Sequence, residues 1–147
     1  MKDLLYLRDD QIKDCIRLLL HAYKETFSDP INILKKKSIG SAHLRTLHLI
    51  ERNEGLSVTE LLFKLKITKQ SLYRVLRDLK RLKIVNLAKD KVDTRRRLIY
   101  LNENGKKIYN EIFESQKKRI FNALKDSDPS SVVKFKEVLK KIIDGKR

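Results

Sequence analysis

The feature that leaves this chain fewest options is the punctuation between Gly55 and Asn102. "SVTE", Ser57 to Glu60, has the spacing of a capping box, in which the Ser57 hydroxyl and the Glu60 carboxylate each satisfy a backbone donor orphaned by the first helical turn. It opens a short helix carrying Leu61, Leu62 and Leu65. "ITKQ" then turns the chain, and Thr68 caps a second helix whose buried stripe is Leu72, Val75, Leu76, Leu79 and Leu82. Two short β-prone runs follow, "KIVNLAK" (Lys83 to Lys89) and "RLIYL" (Arg97 to Leu101). The polar Asp90 to Arg96 between them reads as a hairpin loop.

Longer helices flank this block. Ile12, Ile16, Leu19, Leu20, Tyr23 and Phe27 recur at helical spacing, predicting an amphipathic helix from about Arg8 to Phe27 that ends before "SDP". A second, with Leu44, Leu47, Leu49 and Ile50, runs from about Ser41 to the "NEG" stop at Gly55. Asn102 caps a long helix through about Lys125 with Ile108, Ile112, Phe113, Ile120 and Leu124. "DSDPSS" breaks it, and Val132, Phe135, Leu139 and Ile142 mark a last helix. Helix, turn, helix, β-hairpin is the order of a winged helix-turn-helix, whose second helix enters the DNA major groove, about 12 Å wide. The expected fold is therefore mainly α with a small β-hairpin wing. It forms a single domain over 1–147, with a DNA-binding core at 41–101 between outer helices at 1–30 and 102–147.

Charge points to the partner. The formal net charge is +16, and residues 64–97 hold 13 Lys and Arg against 3 Asp and Glu, so most of the excess sits on a quarter of the chain. Such localisation implies a face that meets a polyanion rather than general solubilisation. Double-stranded DNA is the expected partner. The alternative is an architectural or RNA-binding protein that uses the same face for shape alone; single-strand binders interleave aromatics with their cations, and between 64 and 97 the one aromatic is Tyr73. No apolar run approaches the roughly 18–20 residues a membrane span needs, and "MKDLLYLRDD" turns acidic where a signal peptide requires its apolar core. A cytoplasmic protein with no membrane partner is expected, and a lone Cys15 suits a reducing compartment.

Removing the buried stripe from the second helix of the pair leaves Lys69, Gln70, Ser71, Tyr73, Arg74, Arg77, Asp78, Lys80 and Arg81 outside. Lys69, Gln70, Ser71 and Arg74 are the expected base readers, Gln suiting adenine and Arg or Lys guanine, while Tyr73 suits a phosphate or a thymine methyl. The plainer reading of each is a phosphate contact, where most protein–DNA hydrogen bonds go. There is no glycine-rich phosphate loop, no metal-ligand cluster and no nucleophile with a recognisable partner, so no enzyme, cofactor or metal is expected. Of the three histidines, His21, His43 and His48, the last two are five apart and share no helical face.

Leu56 to Gly105 resembles the core of the MarR-type transcriptional regulators, and the flanking helices match that family's layout over nearly the whole chain. The motifs that carry the likeness are "LSVTEL", "TKQSLYRVLRDL", Asp-x-Arg at Asp93-Thr94-Arg95, and "LNENG", where the family usually has Leu-Thr-x-x-Gly. "SAHLRTLHLI" and "ITKQSLYRVLR" look closest to its alphaproteobacterial PetP-like branch. The resemblance implies that Arg95 is the wing-tip arginine of the minor groove and that Asp93 holds the turn and orients an arginine. Lys91, Arg96 and Arg97 would then serve phosphates or brace the strand.

The resemblance also implies a homodimer joined through the first and last helices, with Ile12, Ile16 and Leu19 at one end and Val132, Phe135, Leu139 and Ile142 at the other. At least half of these positions are expected to fill the chain's own core. It further implies repression more often than activation, and release of DNA when a small effector or an oxidant binds between the two parts. His43 is a candidate for lining that pocket, whereas Cys15, beside Asp14, reads as a buried structural residue. One departure matters: Lys83 stands where the family commonly has Gly after the second helix of the pair. A left-handed residue there would cost about 1–2 kcal/mol.

Overall fold

In a computed structural model, which describes residues 4–145, the punctuation above becomes seven α-helices and a small sheet. The outermost positions of the expected domain, 1–3 and 146–147, lie outside the described residues. A 3₁₀ turn at Leu5–Leu7 leads into α1 (Asp9–Ser28). Next come α2 (Ile31–Lys36), α3 (Ser41–Arg52), β1 (Leu56–Ser57), α4 (Val58–Leu65) and α5 (Lys69–Arg81). The wing is β2 (Val85–Lys89) and β3 (Arg97–Leu101), followed by α6 (Glu103–Lys125) and α7 (Pro129–Ile143).

Helix starts follow their caps. Ser57 Oγ accepts from the Glu60 N–H at 3.1 Å, Thr68 Oγ1 from the Ser71 N–H at 3.1 Å, and Asn102 Oδ1 from the Gly105 N–H at 2.8 Å. The capping box expected at "SVTE" is only half formed, because the Glu60 carboxylate turns away to Arg96 at 2.8 Å.

The sheet is antiparallel, in the order β1-β3-β2, with Leu56 opposite Ile99 and Lys89 opposite Arg97. Neither β1 nor α2 was expected: two and six residues are too few to display a period, and α2 is held by a fully buried Leu34 rather than by repetition.

Core residues run from Leu34 to Ile112 and include Leu47, Ile50, Leu61, Leu72, Leu79, Ile84 and Ile99, all fully buried. Of the outer helices, α1 packs a half-buried Phe27 against this core, and Leu19, Val132 and Leu139 are half-buried. The expectation that at least half of their stripe positions fill the chain's own core is corrected: α1 and α7 contain no buried residue, and Ile12, Ile16, Phe135 and Ile142 are each more than two-fifths exposed. Cys15, expected to be buried, is exposed on α1.

Lys83 does take the left-handed conformation, at φ 57°. It closes a Schellman motif, with the Ile84 N–H on the Leu79 carbonyl at 2.9 Å and the Lys83 N–H on Lys80 at 3.0 Å. The first turn of α6 clamps that end. Asn104 Nδ2 donates to the Lys83 and Leu82 carbonyls at 3.0 and 3.3 Å, the Asn102 N–H donates to the Ile84 carbonyl at 3.1 Å, and Gly105 lies against the same carbonyl. The end of α5 is thus anchored to the helix that leads out of the core.

Candidate nucleic-acid interface

Packing decides which face of α5 is free. Leu72, Val75, Leu76 and Leu79 are buried, so Lys69, Gln70, Ser71, Tyr73, Arg74 and Arg77 all lie on the exposed side. The Thr68 cap ties itself to Ser71, donating to its Oγ at 2.8 Å, and so fixes the helix start. Lys69, Gln70 and Arg74 spend no donor on other described residues, and Tyr73 is half exposed. Asp78 does not belong to this outer face: it is half-buried and accepts a hydrogen bond from His43 Nε2 at 3.0 Å. That bond, with the charges of Arg81 and Arg77 and against the cost of burial, holds the Asp78 carboxyl below the usual carboxylate range. His43 Nδ1 accepts from the Gly40 N–H at 3.1 Å, which assigns the proton to Nε2. His43 therefore braces α3 against α5.

The wing is ordered by two aspartates. Asp93 Oδ1 accepts from the Arg95 N–H and from Arg95 Nε, both at 3.1 Å, and Oδ2 accepts from Nη2 at 3.3 Å. These bonds hold the Asp93 carboxyl below its ordinary value and present a guanidinium that stays nine-tenths exposed at the tip. Asp90 Oδ1 accepts from the Val92 N–H at 2.9 Å. Arg96 bridges Glu60 at 2.8 Å and Asp90 at 3.4 Å, so its geometry is that of a strut from wing to α4 rather than of a free cation. Arg97 donates to the Thr94 carbonyl at 3.0 Å, and Lys91 is exposed beside Val92. The Glu60–Arg96 contact escaped the sequence reading because a local cap was the nearer explanation for Glu60.

A second locus lies between α1, α3 and α6. An apolar cavity of about 380 Å³ is lined by Thr26, His48, Phe113, Gln116, Ile120 and Phe121 among others. The imidazole of His48 is fully engaged, Nδ1 with the Tyr109 hydroxyl at 3.1 Å and Nε2 with Gln116 Oε1 at 2.9 Å, while Gln116 donates on to the Thr26 carbonyl at 3.0 Å. Burial, then the charge of Glu51, pushes the Tyr109 hydroxyl up. The histidine beside this cavity is thus His48, not His43. His21 sits exposed on α1, apart from both. Lower on the same seam Arg119 grips Asp29 with two bonds of 2.7 and 2.9 Å, and these hold the Asp29 carboxyl below its usual range.

Among the described residues no three His, Cys, Asp or Glu side chains gather as a metal site would require, and no helix is long and apolar enough to cross a membrane.

The same fold occurs in known proteins. A family model described as "MarR family" matches residues 38–96. The HTH-type transcriptional regulator PetP of Rhodobacter capsulatus is 38% identical over 141 residues, covering 96% of this chain and 85% of that protein. Among solved structures, a MarR family transcriptional regulator from Silicibacter pomeroyi superposes with a TM-score of 0.77 at 16% identity, covering 99% of this chain and 97% of that one. NadR in complex with 4-hydroxyphenylacetate gives 0.76 at 23% over 87% and 91%. S. aureus MepR in its DNA-binding conformation gives 0.75 at 21% over 90% and 96%.

Proposed function

The chain belongs to the MarR family of DNA-binding transcription regulators, and from that premise we propose that it acts as a homodimer reading a pseudo-palindromic operator. The observation that carries this reading is the α5 face. Lys69, Gln70, Ser71 and Arg74 stand together on the exposed side of the N-terminal half of a capped helix, next to a wing that presents Arg95. In this reading α5 lies in the major groove with Lys69, Gln70, Ser71 and Arg74 at base edges, while Tyr73 and Arg77 hold flanking phosphates. Arg95 enters the minor groove with Asp93 as its holder, Lys91 and Arg97 meet the backbone, and Arg96 keeps the wing at its angle.

Dimerisation is supported by the outer helices. An apolar stripe on α1 and another on α7 that hold no fully buried residue in the monomer are what an isologous interface would cover. Residues 1–30 and 102–147 are accordingly the proposed dimerisation part and 41–101 the DNA-binding part. We take the regulator to be a repressor that gives up DNA when a small apolar or aromatic effector enters the cavity beside His48.

Selection from a random duplex library tests the main claim. It should return a pseudo-palindrome with half-sites about one helical turn apart. Recovery of no motif, with equally salt-sensitive binding to every duplex, would favour the architectural or RNA-binding alternative.

A further inference from the structure

Between α5 and the wing lies an open cleft of about 330 Å³ whose chemistry the base-reading face does not use. Tyr73, Leu76, Arg77 and Lys80 line it from α5 at spacings of three, four and seven, one stripe along the helix. Its apolar floor is completed by Val58 and Leu87, and Arg97 closes the far rim. Cations therefore stand over an apolar floor, and no carboxylate is among the lining residues.

A second observation points the same way. Lys89 is paired directly opposite Arg97 across the antiparallel ladder, so the two side chains leave the same face of the wing beside Leu87. Like charges in that register repel unless an anion lies between them. Neither finds a carboxylate among the described residues; Lys80 finds none, Arg97 is turned onto the Thr94 carbonyl, and Arg77 stands 4.0 Å from Asp78.

An anion attached to an apolar body satisfies both halves of such a cleft, and a nucleotide backbone is that combination: a deoxyribose for the floor, a phosphate for the rim. We infer that this cleft seats one sugar-phosphate unit of the DNA backbone in each half-site, with Lys80 and Arg97 as its phosphate clamp and Lys89, paired opposite Arg97 outside the cleft's lining, adding its charge. The inference rests on the DNA-reading function proposed above, and it adds Lys80 and Lys89 to the contacts. It also makes the angle between α5 and the wing part of the fit to DNA, because the unit would be gripped from both sides at once.

The test uses the full-length protein and its selected operator, carrying a neutral methylphosphonate at one backbone position at a time. Lys80→Gln and Arg97→Gln should each weaken the operator and a scrambled duplex alike. Each should also lower the slope of log K against log salt by about one per cleft, about two for a dimer. One methylphosphonate position per half-site should weaken wild type yet cost the variants nothing further. Lys80→Gln changes an exposed helix position, so its melting temperature should stay that of wild type; it carries the test even if Arg97→Gln loosens the wing. An unchanged salt slope in Lys80→Gln, or a methylphosphonate penalty at every position that both variants retain in full, overturns the clamp. Those results leave the base-reading face standing if Gln70→Ala still weakens binding to the operator and not to the scrambled duplex, whereas absence of operator preference in wild type would remove the face itself.

Discussion

Gly105 stands at the third position of α6, where helix propensity and packing make opposite predictions for Gly105→Ala. Propensity alone says the change stabilises by about 1 kcal/mol. Packing says otherwise: a Cβ there would lie 2.0 Å from the Ile84 carbonyl oxygen and 3.0 Å from its carbon, where ordinary contact begins at 3.4 Å. The obstacle is backbone, not a flexible tip, so α6 must retreat by more than 1 Å.

The retreat breaks the Asn102 N–H bond to that same carbonyl, costing about 1–3 kcal/mol. It also loosens the Asn102 cap, about 1 kcal/mol, and disturbs the packing of Ile108 and Ile112, about 1–3 kcal/mol. With the propensity gain deducted, the net loss is about 2–6 kcal/mol, on the order of 10 °C in melting temperature for a chain of this size. Thermal melts by circular dichroism at fixed protein concentration measure it, with Gly40→Ser as control: nothing lies within 4 Å of a Cβ at Gly40, and serine is a good cap, so the control should move by no more than about 0.5 kcal/mol. A Gly105→Ala protein as stable as wild type, or more so, would refute the packing reading of the α5–α6 clamp.

Arg96→Ala removes the wing strut; because Arg96 and Glu60 are each about half exposed, the melting temperature should move little, while operator affinity falls as the wing loses its angle, measured by fluorescence anisotropy. The Asp29 carboxyl, lowered by Arg119, contributes stability above its unfolded value near 3.9 and loses it as pH falls through the lower folded value. The melting-temperature gap between wild type and Asp29→Asn should therefore be constant from neutrality to about pH 5 and close below about pH 4; a gap that survives to pH 2 would contradict it. Phe135→Glu places a charge on the unburied stripe of α7 and should shift sedimentation from dimer toward monomer, whereas an unchanged dimer would move the interface elsewhere.

What was legible in the sequence was local. Ser57, Thr68 and Asn102 announce their helices because a cap bonds a donor three residues on, and the stripe on α5 declares its inner face through its own spacing. What escaped needed distant partners. Glu60 meets Arg96 across 36 residues, His48 meets Tyr109 and Gln116 across 61 and 68, and Arg119 meets Asp29 across 90. No single-chain spacing encodes those pairs. The outer stripes were misjudged for a related reason: an apolar helix face looks the same whether its own core or a second copy is to cover it. Lys83 was legible as a problem but not as its solution, because the carboxamide that holds its carbonyl belongs to Asn104, beyond the hairpin.

The central claim is that the outer face of α5 distinguishes base pairs. Its most direct test is the ratio of affinities for the selected operator and a scrambled duplex at near-physiological salt, for wild type and for Gln70→Ala. Base reading predicts a wild-type ratio of roughly a thousandfold or more, and a loss of about 1–3 kcal/mol in Gln70→Ala that falls on the operator alone. Equal weakening on both duplexes, or a wild-type ratio near one, would contradict it and leave a basic fold that grips phosphates.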